Sequence, residues 1–319
     1  MDILLAGSIA YDYLMRFPGR FRDTLIEQSL DKISVSFLAD EMTRHYGGVS
    51  ANIAYTLGLL GGRPRLFGTV GRDFGEYRQH LEAVGVDTSG VILLEDVFTG
   101  SFFVNTDLDN NQIATFYAGA MGEAGRFSIT DHAGSKPDLV VISPNDPSAM
   151  LNQARECAQA GIPFMFDPSQ QVARLDGDGL RLGIDHCTYL ACNEYEWEVI
   201  QQRTGYTIDA LQAKNIVFIH TLGADGTNIY HEGAVDHIPA LPPAKLCDPT
   251  GAGDAFRAGL LRGISLGLPW AIAGRIGALS ATYALEHKGP QNHRFSLSEF
   301  VARYRTSHDD AGALDSLLA

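Results

Sequence analysis

No cluster of lysines and arginines interrupts this acidic chain, which carries 24 basic against 38 acidic residues and a formal net charge of −14. A nucleic-acid partner requires a basic footprint, so that class of function is set aside. Long apolar runs are also missing, and nothing in the chain approaches the ~20 residues of a membrane span. The opening residues, Met1 to Ala10, lack a basic n-region, and their apolar stretch is short and broken at Gly7. That is not the grammar of a signal peptide. Cysteine is scarce. Cys157, Cys187, Cys192 and Cys247 form no CxxC pair and have no histidine partners at zinc spacing, which argues against a disulfide framework and against a zinc site. The expectation is a cytoplasmic protein with reduced, mostly buried thiols.

What is present is an ordinary globular composition. Hydrophobic residues make up 45% of the 319 positions, enough for a sizeable core and too many for a disordered chain. No repeat, low-complexity tract or linker divides the sequence, so one domain over residues 1–319 is expected. Ile3 to Ala6 is a short apolar run ending in Gly7-Ser8, the pattern of a buried first strand followed by a loop. Residues 32–37 alternate and predict a half-buried strand. Gly47-Gly48 opens an Ala- and Leu-rich helix over residues 50–60, closed by Gly61-Gly62. A strand over 64–70 and a helix over 74–84 follow. Residues 99–117 alternate around Asp109-Asn110-Asn111, which predicts a hairpin. From Asp138 onward, strand and helix patterns take turns: strands at 139–142, 163–166, 189–191, 216–221 and 227–230, and helices at 147–160, 260–265 and 271–286. This alternation predicts an α/β fold with a mostly parallel central sheet covered on both faces. The alternating segments of the N-terminal half predict a separate small sheet.

The strongest chemical signal is Asp248-Pro249-Thr250-Gly251-Ala252-Gly253-Asp254. Glycines let the chain turn tightly and bring backbone N–H groups close to a ligand. The Ala-rich stretch that follows predicts a helix beginning near Asp254. A Gly-rich turn at a helix N-terminus is an anion site, through its free N–H groups and its dipole. A carboxylate beside it can accept a hydroxyl proton. The plainer alternative is a loop leading into a helix whose first-turn Asp is favoured by the dipole. No GxxxxGK[ST] loop occurs, so this is not a Walker A site.

The motif closely resembles the C-terminal signature of the ribokinase-like (pfkB) carbohydrate and nucleoside kinases. Four further segments resemble that family and lie in its order. They are Gly7-Ser8-Ile9-Ala10-Tyr11-Asp12, Gly47-Gly48-Val49-Ser50-Ala51-Asn52, Asn193-Glu194-Tyr195-Glu196 and Thr221-Leu222-Gly223-Ala224-Asp225-Gly226. Within the family, several segments look like the bacterial adenosine kinases: Phe17-Pro18-Gly19-Arg20-Phe21, Ser36-Phe37-Leu38, Ala118-Gly119-Ala120-Met121, Asn145-Asp146-Pro147 and Asp167-Pro168-Ser169-Gln170-Gln171. The similarity covers nearly the whole chain and weakens after about His293.

The resemblance implies a ribokinase-like three-layer sandwich with a small β-sheet lid built from insertions at about 13–46 and 97–121. It implies transfer of a phosphoryl group from ATP, with Mg²⁺, to the 5′-hydroxyl of adenosine. Asp254 is then the general base, and Gly251, Ala252 and Gly253 stabilise charge through their N–H groups. Ser8, Asp12, Ser36, Gly48 and Asn52 are placed at the nucleoside. Asp12 suits a ribose diol, because a carboxylate can take two hydroxyl protons at once. Phe102 and Phe116 can sandwich a purine, and Gln170 and Gln171 can pair with it. Asn193, Thr221, Gly223 and Gly226 are assigned to ATP. Glu196 is assigned to Mg²⁺ through water, against the plainer reading of Asn193 and Glu196 as a helix cap. Asp248 either orients the anion loop or lies by a monovalent cation such as K⁺, as in some relatives. The exposed edge and apolar face of the lid imply a homodimer. The rival readings are a sugar kinase on the same fold, a kinase for another purine nucleoside, and a nucleoside-binding protein without catalysis.

Overall fold

A computed structural model describes residues 1–24, 34–132 and 134–318. The strands are β1 (Ile3–Ala6), β2 (Ala10–Arg16), β3 (Glu41–Gly47), β4 (Arg65–Gly71), β5 (Val91–Leu94), β6 (Gly100–Thr106), β7 (Gln112–Tyr117), β8 (Leu139–Ile142), β9 (Phe164–Phe166), β10 (Tyr189–Asn193), β11 (Val217–Thr221), β12 (Thr227–His231) and β13 (Ala234–Ile238). Nine of them form one sheet in the order β13-β12-β11-β10-β9-β8-β1-β4-β5. From β11 to β5 neighbours run parallel, and β12 and β13 add an antiparallel edge.

A strand buried on both faces must be apolar at every position, because successive side chains point to opposite sides. β1 meets that demand. Ile3 and Leu5 pack into one core with Tyr55, Leu57 and Leu260, and Leu4 and Ala6 pack into another with Ile142, Phe164 and Phe166. Helices Val49–Leu59, Ala252–Ser265 and Trp270–Leu285 lie on the first side, and helices Pro147–Ala160, Gly177–His186 and Glu194–Thr204 on the second. The result is the expected three-layer α/β architecture.

After Gly7, Ser8 and Ile9 the chain leaves this sheet and enters a second, four-stranded one in the order β3-β2-β6-β7. Its outer pairs are antiparallel, and β2 and β6 run parallel. The hairpin β6–β7 turns where expected, with Asn110 in the left-handed region at φ 62°. The strand expected over residues 32–37 is not found. Residues 34–39 carry no regular structure, and 32 and 33 lie outside the described residues. One apolar residue of that stretch, Phe37, is used differently: its ring sets its edge against Phe17 and Phe21, with centroids 5.0 and 4.9 Å away. β5, β13 and the helices Gly177–His186 and Leu297–Ser307 were not foreseen, being short or weakly patterned.

Gly48 makes the joint between β3 and the helix Val49–Leu59, with φ 90°. A Cβ there would lie 2.6 Å from the Ser8 carbonyl oxygen and 2.7 Å from the Ala10 nitrogen. Gly48 is therefore explained by backbone packing against the β1–β2 crossover, and Gly47 by the Asp12 carboxylate, which a Cβ there would meet at 2.5 Å. Gly48→Ala should lower the unfolding free energy by about 1–3 kcal/mol or more, since strain at positive φ adds to the clash. Urea denaturation measures it, and an unchanged midpoint would show that the crossover yields freely.

Candidate active site

Ligands of open parallel sheets bind beyond the carboxyl ends of the strands. Those ends here present Ser8 after β1, Asp167 after β9, Asn193 ending β10 and Thr221 ending β11, the last two paired in register. The helix Ala252–Ser265 points its N-terminus to the same edge, since Arg257 in its second turn reaches Asp167.

Gly251 caps that helix at φ 80°, and a Cβ on it would strike Pro290 Cβ at 2.5 Å. Of the three N–H groups expected to face an anion, that of Ala252 donates to the Pro249 carbonyl at 3.3 Å. Among the described residues the N–H groups of Gly251 and Gly253 have no acceptor, so two donors remain at the positive end of the helix dipole. Asp248 fixes the loop: its two oxygens accept the N–H groups of Thr250 and Gly289, each at 2.9 Å. Burial works against its charge, yet these donors and nearby His45 hold it below the usual carboxylate range. This geometry supports the loop-orienting role.

Asp254 stands in the first turn of the helix and accepts the Asn52 amide, Nδ2 to Oδ2, at 2.8 Å. Burial pushes its carboxyl up, Arg257 and the Asn52 amide pull it down, and Glu196 adds to the rise. Arg257 forms a buried, two-pronged contact with Asp167, Nη2 to Oδ1 at 2.7 Å and Nε to Oδ2 at 2.6 Å. Burial raises the Asp167 carboxyl while Arg257 opposes it, with Glu196 and Asp254 adding to the rise. Three carboxylates thus share one guanidinium. Sequence reading gave no role to Arg257 or Asp167. The available signal was an arginine three residues after Asp254, set among the apolar Ala255, Phe256, Ala258, Leu260 and Leu261.

Asn193 and Glu196 form a full capping box. The Glu196 N–H donates to Asn193 Oδ1 and the Asn193 N–H to Glu196 Oε2, both at 2.8 Å, and Asn193 Nδ2 donates to Oε1 at 3.0 Å. The plainer reading of this motif is therefore correct as far as the fold goes, although Glu196 is itself buried beside the other acids. Gly226 has φ 94°, and a Cβ would lie 2.1 Å from the Ile238 carbonyl oxygen, while Gly223 faces open space. Thr221 Oγ1 donates to the Cys192 carbonyl at 3.5 Å. Among the described residues no group of three or more metal-ligating side chains occurs, so a cation here would draw most ligands from phosphate oxygens and water.

Across the cleft, the strand register sets His45, Asp12, Phe102 and Phe116 in one row. Directly opposed residues share a face, so the carboxylate and two aromatic rings lie side by side. Burial, then the charges of Asp248 and Asp254, pushes the Asp12 carboxyl up to about 6. Phe116 is 52% exposed. Ser8 is committed to the fold, its Oγ accepting the Val49 N–H at 3.0 Å. Asn52 Oδ1 accepts from Gln291 at 2.8 Å, so Asn52 keeps only one amide hydrogen for a ligand. Gln171 is buried with Oε1 unpartnered among the described residues, whereas Gln170 is exposed and accepts from Ser169. Ser36 is exposed in the irregular stretch, and among the described residues no hydrogen bond joins it to the other site residues.

The pattern of the pfkB family carbohydrate kinases matches residues 11–295. A nucleoside kinase of Methanothermobacter thermautotrophicus is 31% identical over 309 residues, 95% of each chain. The ligand-free nucleoside kinase of Burkholderia thailandensis superposes with a TM-score of 0.86 at 40% identity, covering 95% of this chain and 99% of that one. The same enzyme in complex with inosine gives 0.80 at 39% identity, covering 95% and 97%. The chain therefore belongs to the pfkB family of carbohydrate kinases, phosphotransferases that act on hydroxyl groups.

Proposed function

We propose that this kinase is an ATP-dependent nucleoside kinase that phosphorylates the 5′-hydroxyl of adenosine, giving AMP and ADP. The observation that carries the reading is the row Asp12–Phe102–Phe116, a diol acceptor followed on one side by two aromatic side chains, across the cleft from Asp254. A free sugar has no use for the aromatic pair, whereas a purine stacks on it. The names of the similar nucleoside kinases support the substrate class. The unpartnered Gln171 oxygen favours adenine, which offers an exocyclic amine to an acceptor.

Asp254 takes the 5′-hydroxyl proton as that oxygen bonds to the γ-phosphorus and the bond to the β–γ bridging oxygen breaks. The N–H groups of Gly251 and Gly253 face the charge on the transferring group. Bound with ATP, Mg²⁺ supplies neutralising charge on the phosphates. Glu196 would hold it through water, and Thr221, Gly223 and Gly226 line the nucleotide. The buried acids around Arg257 fit such a cation, because they outnumber the local positive charge. The small sheet acts as a lid that excludes water. The face of the small sheet opposite to Asp12 carries Met42, 65% exposed, with Ile113, Tyr117 and Phe103. That apolar surface supports a homodimer through the lid, in the cytoplasm. Among the described residues no helix is long and apolar enough to cross a membrane.

Asp254→Asn should fold with an unchanged melting temperature and lose turnover by about 10²–10⁴-fold. Near-normal ADP release by that variant would remove the base assignment. Across adenosine, inosine, cytidine, ribose and fructose, adenosine should give the highest kcat/KM in a coupled ADP assay. A higher value for ribose would favour a sugar kinase, and adenosine binding without ADP release a silent binder.

The pH dependence has a definite sign. Asp12 must be ionised to accept the diol, and its pKa is raised to about 6. kcat/KM for adenosine should therefore be full above pH 6 and fall as pH drops through it. A profile flat down to pH 5 would count against Asp12 as the acceptor. For the dimer, light scattering should give twice the chain mass, and Met42→Glu with Ile113→Lys should give a monomer. A monomeric parent protein would refute the interface.

A further inference from the structure

The hydrogen bonds behind Asp254 have a direction, and that direction begins at a backbone carbonyl. The Gly47 oxygen can only accept, and the Tyr77 hydroxyl donates to it at 2.7 Å. Burial holds the Tyr77 phenol neutral, so it has one hydrogen and that hydrogen is spent. Its oxygen therefore offers only lone pairs to Gln291, whose Nε2 donates to it at 2.5 Å. The second hydrogen of the same amide goes to Asn52 Oδ1 at 2.8 Å. With its oxygen so occupied, Asn52 turns its own amide nitrogen to Asp254 Oδ2 at 2.8 Å. Turning the Gln291 amide round would set an oxygen against the Tyr77 oxygen and leave Asn52 facing the Asp254 carboxylate with its own oxygen.

The arrangement is buried throughout. Tyr77 is fully enclosed, Gln291 is 2% exposed and Asn52 5%. Gln291 Oε1 is turned toward the buried His80 imidazole, without a full hydrogen bond to it among the described residues. That leaves both amide hydrogens for the other side, toward Tyr77 and Asn52. Asp254 Oδ1, by contrast, has no hydrogen-bond partner among the described residues. The other charges that bear on Asp254 are Arg257 on its own helix, Glu196 from the helix Glu194–Thr204, Asp167 after β9 and Asp12 from β2. None of them fixes which Asp254 oxygen meets the acceptor hydroxyl.

We propose that Tyr77 and Gln291 are positioning residues for phosphoryl transfer, locking the Asn52 amide as a donor to Asp254 Oδ2 so that Oδ1 is presented to the acceptor hydroxyl. The inference rests on the reading of Asp254 as the base. It assigns work to two residues that touch neither substrate nor phosphate. The direction of the chain makes it specific: a residue that merely filled space would leave the Asn52 amide free to turn.

The test uses the whole protein with ATP and adenosine. Tyr77→Phe removes a single oxygen, and Gln291→Met keeps the length of the side chain while removing its donors. Each should lower kcat by about 10–100-fold, as a misplaced reactive group does, while KM for ATP stays unchanged. Asn52→Ala should lower kcat at least as much, and adding Gln291→Met to Asn52→Ala should change kcat by no more than about twofold, because both act through one bond. Normal kcat in Tyr77→Phe and Gln291→Met would overturn the proposal, and so would full additivity of Gln291→Met with Asn52→Ala. Should Gln291→Met fail to fold, Tyr77→Phe with Asn52→Ala carries the same comparison. Asp254→Asn separates the two failures. Turnover in that variant overturns the base reading itself, whereas an inactive Asp254→Asn with additive Gln291→Met overturns the relay alone.

Discussion

Arg257 reaches from the helix Ala252–Ser265 to Asp167 at the end of β9, and contacts of 2.6 and 2.7 Å close the pair away from solvent. That contact ties the helix carrying the anion loop to the sheet carrying the other site residues. A shift of either element would separate buried charges, and losing one partner of such a pair costs roughly 3–5 kcal/mol. The arginine is not there for stability alone, since an apolar pair of the same size would do as well or better. What an apolar pair would not supply is positive charge beside Asp254 and Glu196, which would otherwise be buried with no compensating charge. The ion pair sets both the position of the catalytic helix and the charge balance of the cleft.

That balance shapes everything around it. Asp12, Asp167 and Asp254 are all pushed above the ordinary carboxylate range by burial first and then by neighbouring acids: Asp248 and Asp254 act on Asp12, Glu196 and Asp254 on Asp167, and Glu196 on Asp254. Asp248, closer to backbone donors, goes the other way. A cleft of this kind is poor at holding its own charges and good at receiving positive charge from a ligand. A nucleotide that arrives with a divalent cation would bring what the site lacks, and under the proposed function its terminal phosphate would meet the two free N–H groups of the loop. The electrostatics therefore favour the two substrates together over either carboxylate cluster left open to water.

Much of this was legible in the sequence, and the legible part was local. The apolar run of β1, the glycines at 47–48 and 251–253 and the alternation around Asn110 each follow from the conformation of a few adjacent residues. The capping box of Asn193 and Glu196 could be read from their spacing alone. What was not legible depends on pairing between distant segments. Asp12, Phe102 and Phe116 come into one row only because β2 runs parallel to β6, and no periodicity announces that pairing. Tyr77 and Gln291 are separated by 214 positions, and each alone looks like an ordinary core tyrosine or loop glutamine. The strand expected at 32–37 failed for a related reason: alternation is necessary for a half-buried strand, but Phe37 satisfies its burial against Phe17 and Phe21 without a ladder.

The glycine-rich motifs also carry more than one constraint at once. Gly48 and Gly226 are required by backbone contacts of 2.6 and 2.1 Å that would exclude any Cβ, and Gly251 is pressed against Pro290. Such residues would be retained even if no ligand ever approached them. A motif reading that gives each glycine to a substrate therefore counts folding demands as binding. The loop 248–254 escapes that objection on different grounds. The N–H groups of Gly251 and Gly253 have no acceptor among the described residues and lie at the positive end of a 14-residue helix, where an anion is favoured.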